Sequence, residues 1–109
     1  VNAKIEARIN ELEKMTELPA DTNAKVYDGL RHAVAVIEEA LQKMKTAGVP
    51  ASKAALEAPE FFRSLVRKQW GSDSVDFESK KGHGQVTLNA TFGDLPNMVG
   101  DLAKEILSN

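Results

Sequence analysis

Residues 27–44, YDGLRHAVAVIEEALQKM, decide how this chain folds. Tyr27, Leu30, Val34, Ile37, Leu41 and Met44 recur at alternating steps of three and four. A helix turns once in 3.6 residues, so this spacing lays one apolar side chain per turn along a single seam. Such seams belong to helices that pack lengthwise on other helices. Beside the seam runs a flank of mostly small residues: Gly29, Ala33, Val36, Ala40 and Ala47. Seam and flank together span roughly half the helix circumference, wider than one neighbour covers. The stretch predicts a central helix over 24–47, touched on two sides. Asp21, Thr22 and Asn23 precede it as candidate N-caps, and Gly48 follows as its stop.

Upstream, Ile5, Ile9 and Leu12 share a narrow stripe, with Met15 at its edge and charges around it. That pattern predicts a helix from about Asn2 to Leu18 that docks by one seam. Pro19 ends it, because a residue before proline leaves the helical region. The short connection to residue 24 permits an antiparallel return. Pairing of the same seam with a second copy is the other arrangement the pattern allows, since symmetric dimers are the commonest oligomers.

Downstream, Val49-Pro50 starts a new direction. Ser52 caps an expected short helix over 53–58, and Pro59 opens a second that runs from Glu60 to Trp70 and stops at Gly71. Phe61, Phe62, Leu65 and Val66 make its core face. From Ser74 to Phe92 the period changes to two: Val75 and Phe77, then Val86, Leu88, Ala90 and Phe92, alternate with polar residues. This predicts a β-hairpin with one buried face, turning at Lys81-Gly82-His83-Gly84. Asp94 caps the last helix, whose apolar face is Leu95, Met98, Val99, Leu102 and Ile106.

The expected fold class is α+β, predominantly helical. It is a single domain over 1–109, with four to five helices and one antiparallel β-hairpin between the penultimate and last helix. Residues 1–18 form an N-terminal helix that acts as a docking or oligomerisation arm. Residues 24–109 form the helical core, with the hairpin over 74–92. The expected core is Ile9, Leu12, Leu30, Val34, Ile37, Leu41, Phe62, Leu65, Val66, Val75, Phe77, Val86, Leu88, Phe92, Leu102 and Ile106.

Composition agrees with this. A chain of 109 residues, 42% hydrophobic and 28% charged, has room for one packed core and lacks the bias of a disordered segment. A net charge of −2 argues against a general polyanion coat, while leaving room for a local basic patch. Without cysteine there are no disulfides, thiolate chemistry or cysteine zinc sites. No apolar run approaches the roughly 20 residues that cross a bilayer, and VNAKIEARIN carries no apolar leader core. No membrane is expected among the partners, and the expected compartment is the cytoplasm.

Catalytic patterns are lacking. His32 and His83 fit no metal-ligand spacing. Glu38 and Glu39 project about 100° apart on a helix and cannot act as one acid/base pair. Ser64, Ser72 and Ser74 show no nucleophile spacing. The expectation is a protein that is not an enzyme, with no catalytic residue, cofactor, metal or small-molecule substrate. A small enzyme whose site converges only in three dimensions is the second alternative.

Contact chemistry is better represented. Arg63, Arg67 and Trp70 cluster on one helix face, and cations beside an aromatic can grip phosphates or form a protein hot spot. Lys80, Lys81 and His83 lie around the hairpin turn. The leading expectation is a regulatory or adaptor protein whose helices bind another protein or a second copy of itself. The alternative is a DNA- or RNA-binding regulator. A long helix, two short helices at a corner and a two-stranded ribbon resemble, in element order alone, a winged helix-turn-helix over residues 24–92. That resemblance implies helix 60–70 in the major groove and Lys80, Lys81 and His83 in the wing. Pro59 between the short helices departs from the pattern, and Glu57, Glu60, Asp73, Asp76 and Glu78 dilute the positive field.

Overall fold

A computed structural model describes residues 2–109. In chain order the elements are α1 (Ala3–Met15), α2 (Ala20–Thr46), α3 (Ala51–Trp70), β1 (Ser74–Ser79), β2 (Gly82–Thr87), α4 (Leu88–Phe92) and α5 (Leu95–Leu107). The expected α+β class, dominated by helix with one antiparallel hairpin, is the one observed. All the elements contribute to one hydrophobic cluster. The fold measures 51 Å along its longest axis, and the 27 residues of α2 rise about 40 Å.

α2 is the organiser its seam announces. Tyr27, Leu30, Val34, Ile37 and Leu41 are buried, and Met44 is half-buried at the open end. α1 folds back antiparallel along α2: Leu12 meets Tyr27, while Asn2 and Glu6 lie beside Glu38 and Gln42. Its stripe of Ile5, Ile9 and Leu12 is buried in this monomer, with Ile5 against Met98 and Leu102 of α5. The helix ends at Met15 rather than Leu18, and α2 begins at Ala20, upstream of the expected caps.

α3 takes the small-residue flank. At Gly29 the two helices touch: a Cβ there would sit 2.8 Å from Trp70 Nε1 and 3.3 Å from Gln69 Cβ. Gly29→Ala should therefore destabilise the fold. Overpacking costs about 1–3 kcal/mol, against about 1 kcal/mol gained from helix propensity. Thermal melting of the variant should show a net loss, and an unchanged or raised Tm would contradict this packing.

The two short helices expected over 53–58 and 60–70 are one continuous helix. Proline inside a helix removes one hydrogen bond and crowds the carbonyl four residues back, at a cost of about 3 kcal/mol. Two features offset that cost. Ala54, Ala58, Phe62, Val66 and Trp70 form an unbroken i,i+4 ladder of buried side chains through Pro59. On the neighbouring face, Gly100 of α5 lies against Ala55 O and the Pro59 ring, where a Cβ would be 3.4 Å from each. The bare glycine lets α5 follow the disturbed turn closely.

The hairpin is shorter than its alternation suggests. Ser79 pairs with Gly82, so the turn is Lys80-Lys81, and Gly82, His83 and Gly84 belong to β2. Gly82 takes φ 110° after the turn, the left-handed position that closes such connections. Val75 faces Val86, and both are buried. Residues 88–92, expected as strand, are α4. The Thr87 hydroxyl accepts from Ala90 N at 3.2 Å and starts the helix, which buries Leu88 and Phe92 and leaves Ala90 exposed. Burial at i,i+4 replaces the alternation that the sequence also fits. Asp94 flanks α5 without a capping bond; its carboxylate accepts from Arg8 instead. Of the expected core, Leu65 and Phe77 are only half-buried. No helix among the described residues is long and apolar enough to cross a membrane.

Candidate functional site

Three surfaces carry the residues that the sequence singles out or that the packing leaves open. The first is the outer face of α3. Arg63 and Arg67 are there, partly exposed, one turn apart. Neither points freely into solvent. Arg67 donates to Glu60 at 2.5 Å, to Ser64 at 3.3 Å and to Asp73 at 3.4 Å, while Arg63 reaches Glu60 at 3.5 Å. The hydrogen bond from Arg67 holds the Glu60 carboxyl below its usual range, and the same bond raises the Arg67 guanidinium. The face is thus a local charge network rather than a positive patch, and exposed pairs of this kind contribute little stability.

Trp70 is not part of that face. It is 3% exposed, and its indole N–H donates to Val26 O at 3.2 Å. Its ring meets Phe92 edge-on, and Phe92 in turn meets Tyr27. The contact role expected for Trp70 gives way to a core role. The helix drifts relative to a strict four-residue repeat, so the last rung of the 54–70 ladder swings in beneath α2.

The second surface is the hairpin tip. Lys80 and Lys81 are exposed there, and His83 lies beside Glu78 at 3.4 Å. The expected corner at Pro59 between helices 53–58 and 60–70 is absent, because residues 51–70 are one helix. Among the described residues, no group of three or more His, Asp or Glu side chains converges as a metal site.

The third surface was not singled out from the sequence. A groove of about 270 Å³ opens between the second half of α2 and the first half of α3. Leu41, Met44, Ala58 and Phe61 line it, with the exposed Glu57. Leu56, 82% exposed, does not line it: at about 100° per residue it projects on the far side of α3, in line with Glu60, Arg63 and Arg67. The signal was present in part, since Met44 ends the α2 seam and Phe61 lies on the apolar side of α3. Periodicity identifies such residues as apolar without saying what covers them.

The α1 attachment adds a fourth set of polar contacts. Arg31 of α2 donates to Glu13 at 2.5 Å and to Asn10 at 2.9 Å, and Asn23 donates to Glu13 at 2.8 Å. The Tyr27 hydroxyl donates to Leu12 O at 3.2 Å and also meets the Thr16 hydroxyl. Burial pushes the Tyr27 phenol up, and the Arg31 hydrogen bond holds the Glu13 carboxyl below its ordinary value of 4.5. A carboxylate lowered on folding adds stability above its unfolded pKa and loses it as pH falls through the folded value. The α1 attachment should thus be constant across neutral pH and loosen only below about pH 4. Hydrogen exchange of α1 amides, compared with unfolded reference rates at each pH, measures this; an attachment lost between pH 6 and 7 would contradict it.

No protein-family model, curated protein or solved structure matches this chain.

Proposed function

We infer that this is a non-enzymatic regulatory or adaptor protein that works through helix-mediated contacts with another protein. One observation carries the reading: the groove between α2 and α3 stays open, with Met44 and Phe61 only half-buried along it. Leu41 and Ala58 are already buried, so a partner gains by covering what Met44 and Phe61 still expose, at about 25 cal/mol per Å² of apolar surface. Arg63 and Arg67 support a contact less strongly, because Glu60 and Asp73 already satisfy them.

A photoreactive residue at position 57, where the exposed Glu57 lines the groove, tests the reading in the full chain. Discrete adducts with one protein should form and fall at least tenfold with Met44→Glu, whose fold is checked by its thermal melt because Met44 packs against the core. Adducts no more specific than those from position 39, on the exposed side of α2, would remove the groove from consideration.

A further inference from the structure

α1 lies beside Glu38 and Gln42, and α5 against Ala55 and Pro59, so neither covers the outer side of the α2–α3 pair. At about 100° per residue, Asp28, His32, Glu39 and Lys43 fall on one outward arc of α2, about 60° wide. Glu57, Phe61, Ser64 and Lys68 share an arc about as wide on α3. The two arcs border a common surface. Asp28 and His32 meet Gln69 around one depression, and Met44 meets Glu57 and Phe61 around the other. Val36, Ala40, Phe61 and Leu65 lie between the charges and are only half-buried.

The charge order on this face has a centre. Asp28 and Lys43 are equidistant from the Ala35–Val36 bond, and so are His32 and Glu39. Glu57 and Lys68 are equidistant from the Phe62–Arg63 bond. Contact of Gly29 with Trp70 and Gln69 fixes the antiparallel register of α2 and α3. That register brings the two midpoints level to within about one residue, about 1.5 Å of rise. A single two-fold axis running from one midpoint to the other therefore sets each acid against a basic side chain. Inside one copy these groups are weakly engaged: Lys43 meets Glu39 at 3.6 Å and Arg31 meets Asp28 at 3.9 Å, both exposed. Glu57 and Lys68, both exposed, form no ion pair among the described residues.

We propose that this face receives a second copy of the chain in an antiparallel two-fold dimer, α2 on α2 and α3 on α3, with Asp28, His32 and Glu57 facing Lys43, Glu39 and Lys68 of the other copy. Val36 sits at the axis, and Phe61 meets Ser64 and Leu65 across it. The contact uses one patch twice, as a two-fold interface must. Its charge pairs set partner and register, because arranged charges act mainly on specificity. Its apolar strip is narrow and already half-buried, so the dimer exchanges with monomer rather than being permanent. The inference rests on the protein-contact reading and names a second copy as the occupant of this side.

Light scattering of the purified full chain at low salt tests it. Mass should climb toward twice that of the chain, with half-association below about 1 mM. Glu57→Lys sets lysine against lysine at both ends of the α3 contact, and Lys68→Glu sets glutamate against glutamate. Each change should weaken association at least about tenfold, since like charges brought face to face repel. Mixing the two variants in equal amounts, or placing both changes in one chain, restores opposite signs. Either should recover affinity to within about threefold of the parent. Both residues are exposed, and recovery on mixing shows in the same sample that each variant is folded. A mass that stays constant up to about 1 mM overturns the proposal. So does a dimer indifferent to the single changes, or one that neither the mixture nor the double variant restores. Constant mass together with foreign-protein adducts from position 57 leaves the wider reading standing without this dimer. Self-association without such adducts leaves the dimer and removes the groove.

Discussion

Trp70→Ala is expected to lower stability by about 3–5 kcal/mol and Tm by more than about 10 °C. The indole is 3% exposed, so its removal leaves a cavity that the fixed backbones of α2 and α3 cannot close. It also withdraws the donor from Val26 O and the edge contact with Phe92, at 6.0 Å between ring centroids. Trp70→Phe keeps a ring and loses the N–H, and should cost less than half as much. The measurement is simple, because Trp70 is the only tryptophan. Native emission should lie to the blue and move red on unfolding. A Trp70→Ala protein that melts within about 2 °C of the parent would return Trp70 to the surface, where a contact role expects it.

Phe92→Ala should cost a similar amount, about 3–5 kcal/mol. Phe92 is wholly buried and touches both Tyr27, at 5.7 Å and 89°, and Trp70. Because the rings share a site, the Trp70→Ala/Phe92→Ala double variant should lose less than the sum of the singles. Additivity in denaturant melts would show that the two aromatics act apart. Ala90→Glu separates the two backbone readings of this segment. In a strand, Ala90 shares the inward face with Phe92 and a glutamate is costly. In α4, Ala90 is exposed and the change should stay within about 0.5 kcal/mol.

Much of the fold was legible because helices announce themselves by period. The seam of α2 up to Leu41, Ile5, Ile9 and Leu12 of α1 and the apolar face of α5 except Met98 are buried as the spacing requires, while Met44 is half-buried and Met15 exposed. Of the small flank, Gly29 and Ala33 are buried and Gly29 meets α3, whereas Ala47 at its end is exposed. The errors fall where one string fits two periods or where a local rule competes with packing. Leu88, Ala90 and Phe92 satisfy both alternation and i,i+4, and the Thr87 cap decides between them. Pro59 reads as a boundary locally, yet the ladder from Ala54 to Trp70 and the bare Gly100 hold the helix through it. The candidate site was far less legible. Arg63 and Arg67 read as a contact face, but Glu60, three and seven residues back on the same helix, and Asp73, carried up by the approach to β1, already hold them.

The sequence by itself determined which faces must be hidden, because side-chain hydrophobicity and backbone period are local properties. It determined the central place of α2, the antiparallel hairpin and the need for a neighbour along the α1 stripe. Only the tertiary structure decided what hides each face. Trp70 goes inward because Gly29 leaves it room, whereas Leu56 and the Leu41–Phe61 groove stay open because no element reaches them. Coverage depends on where distant segments meet, and no local periodicity encodes that meeting.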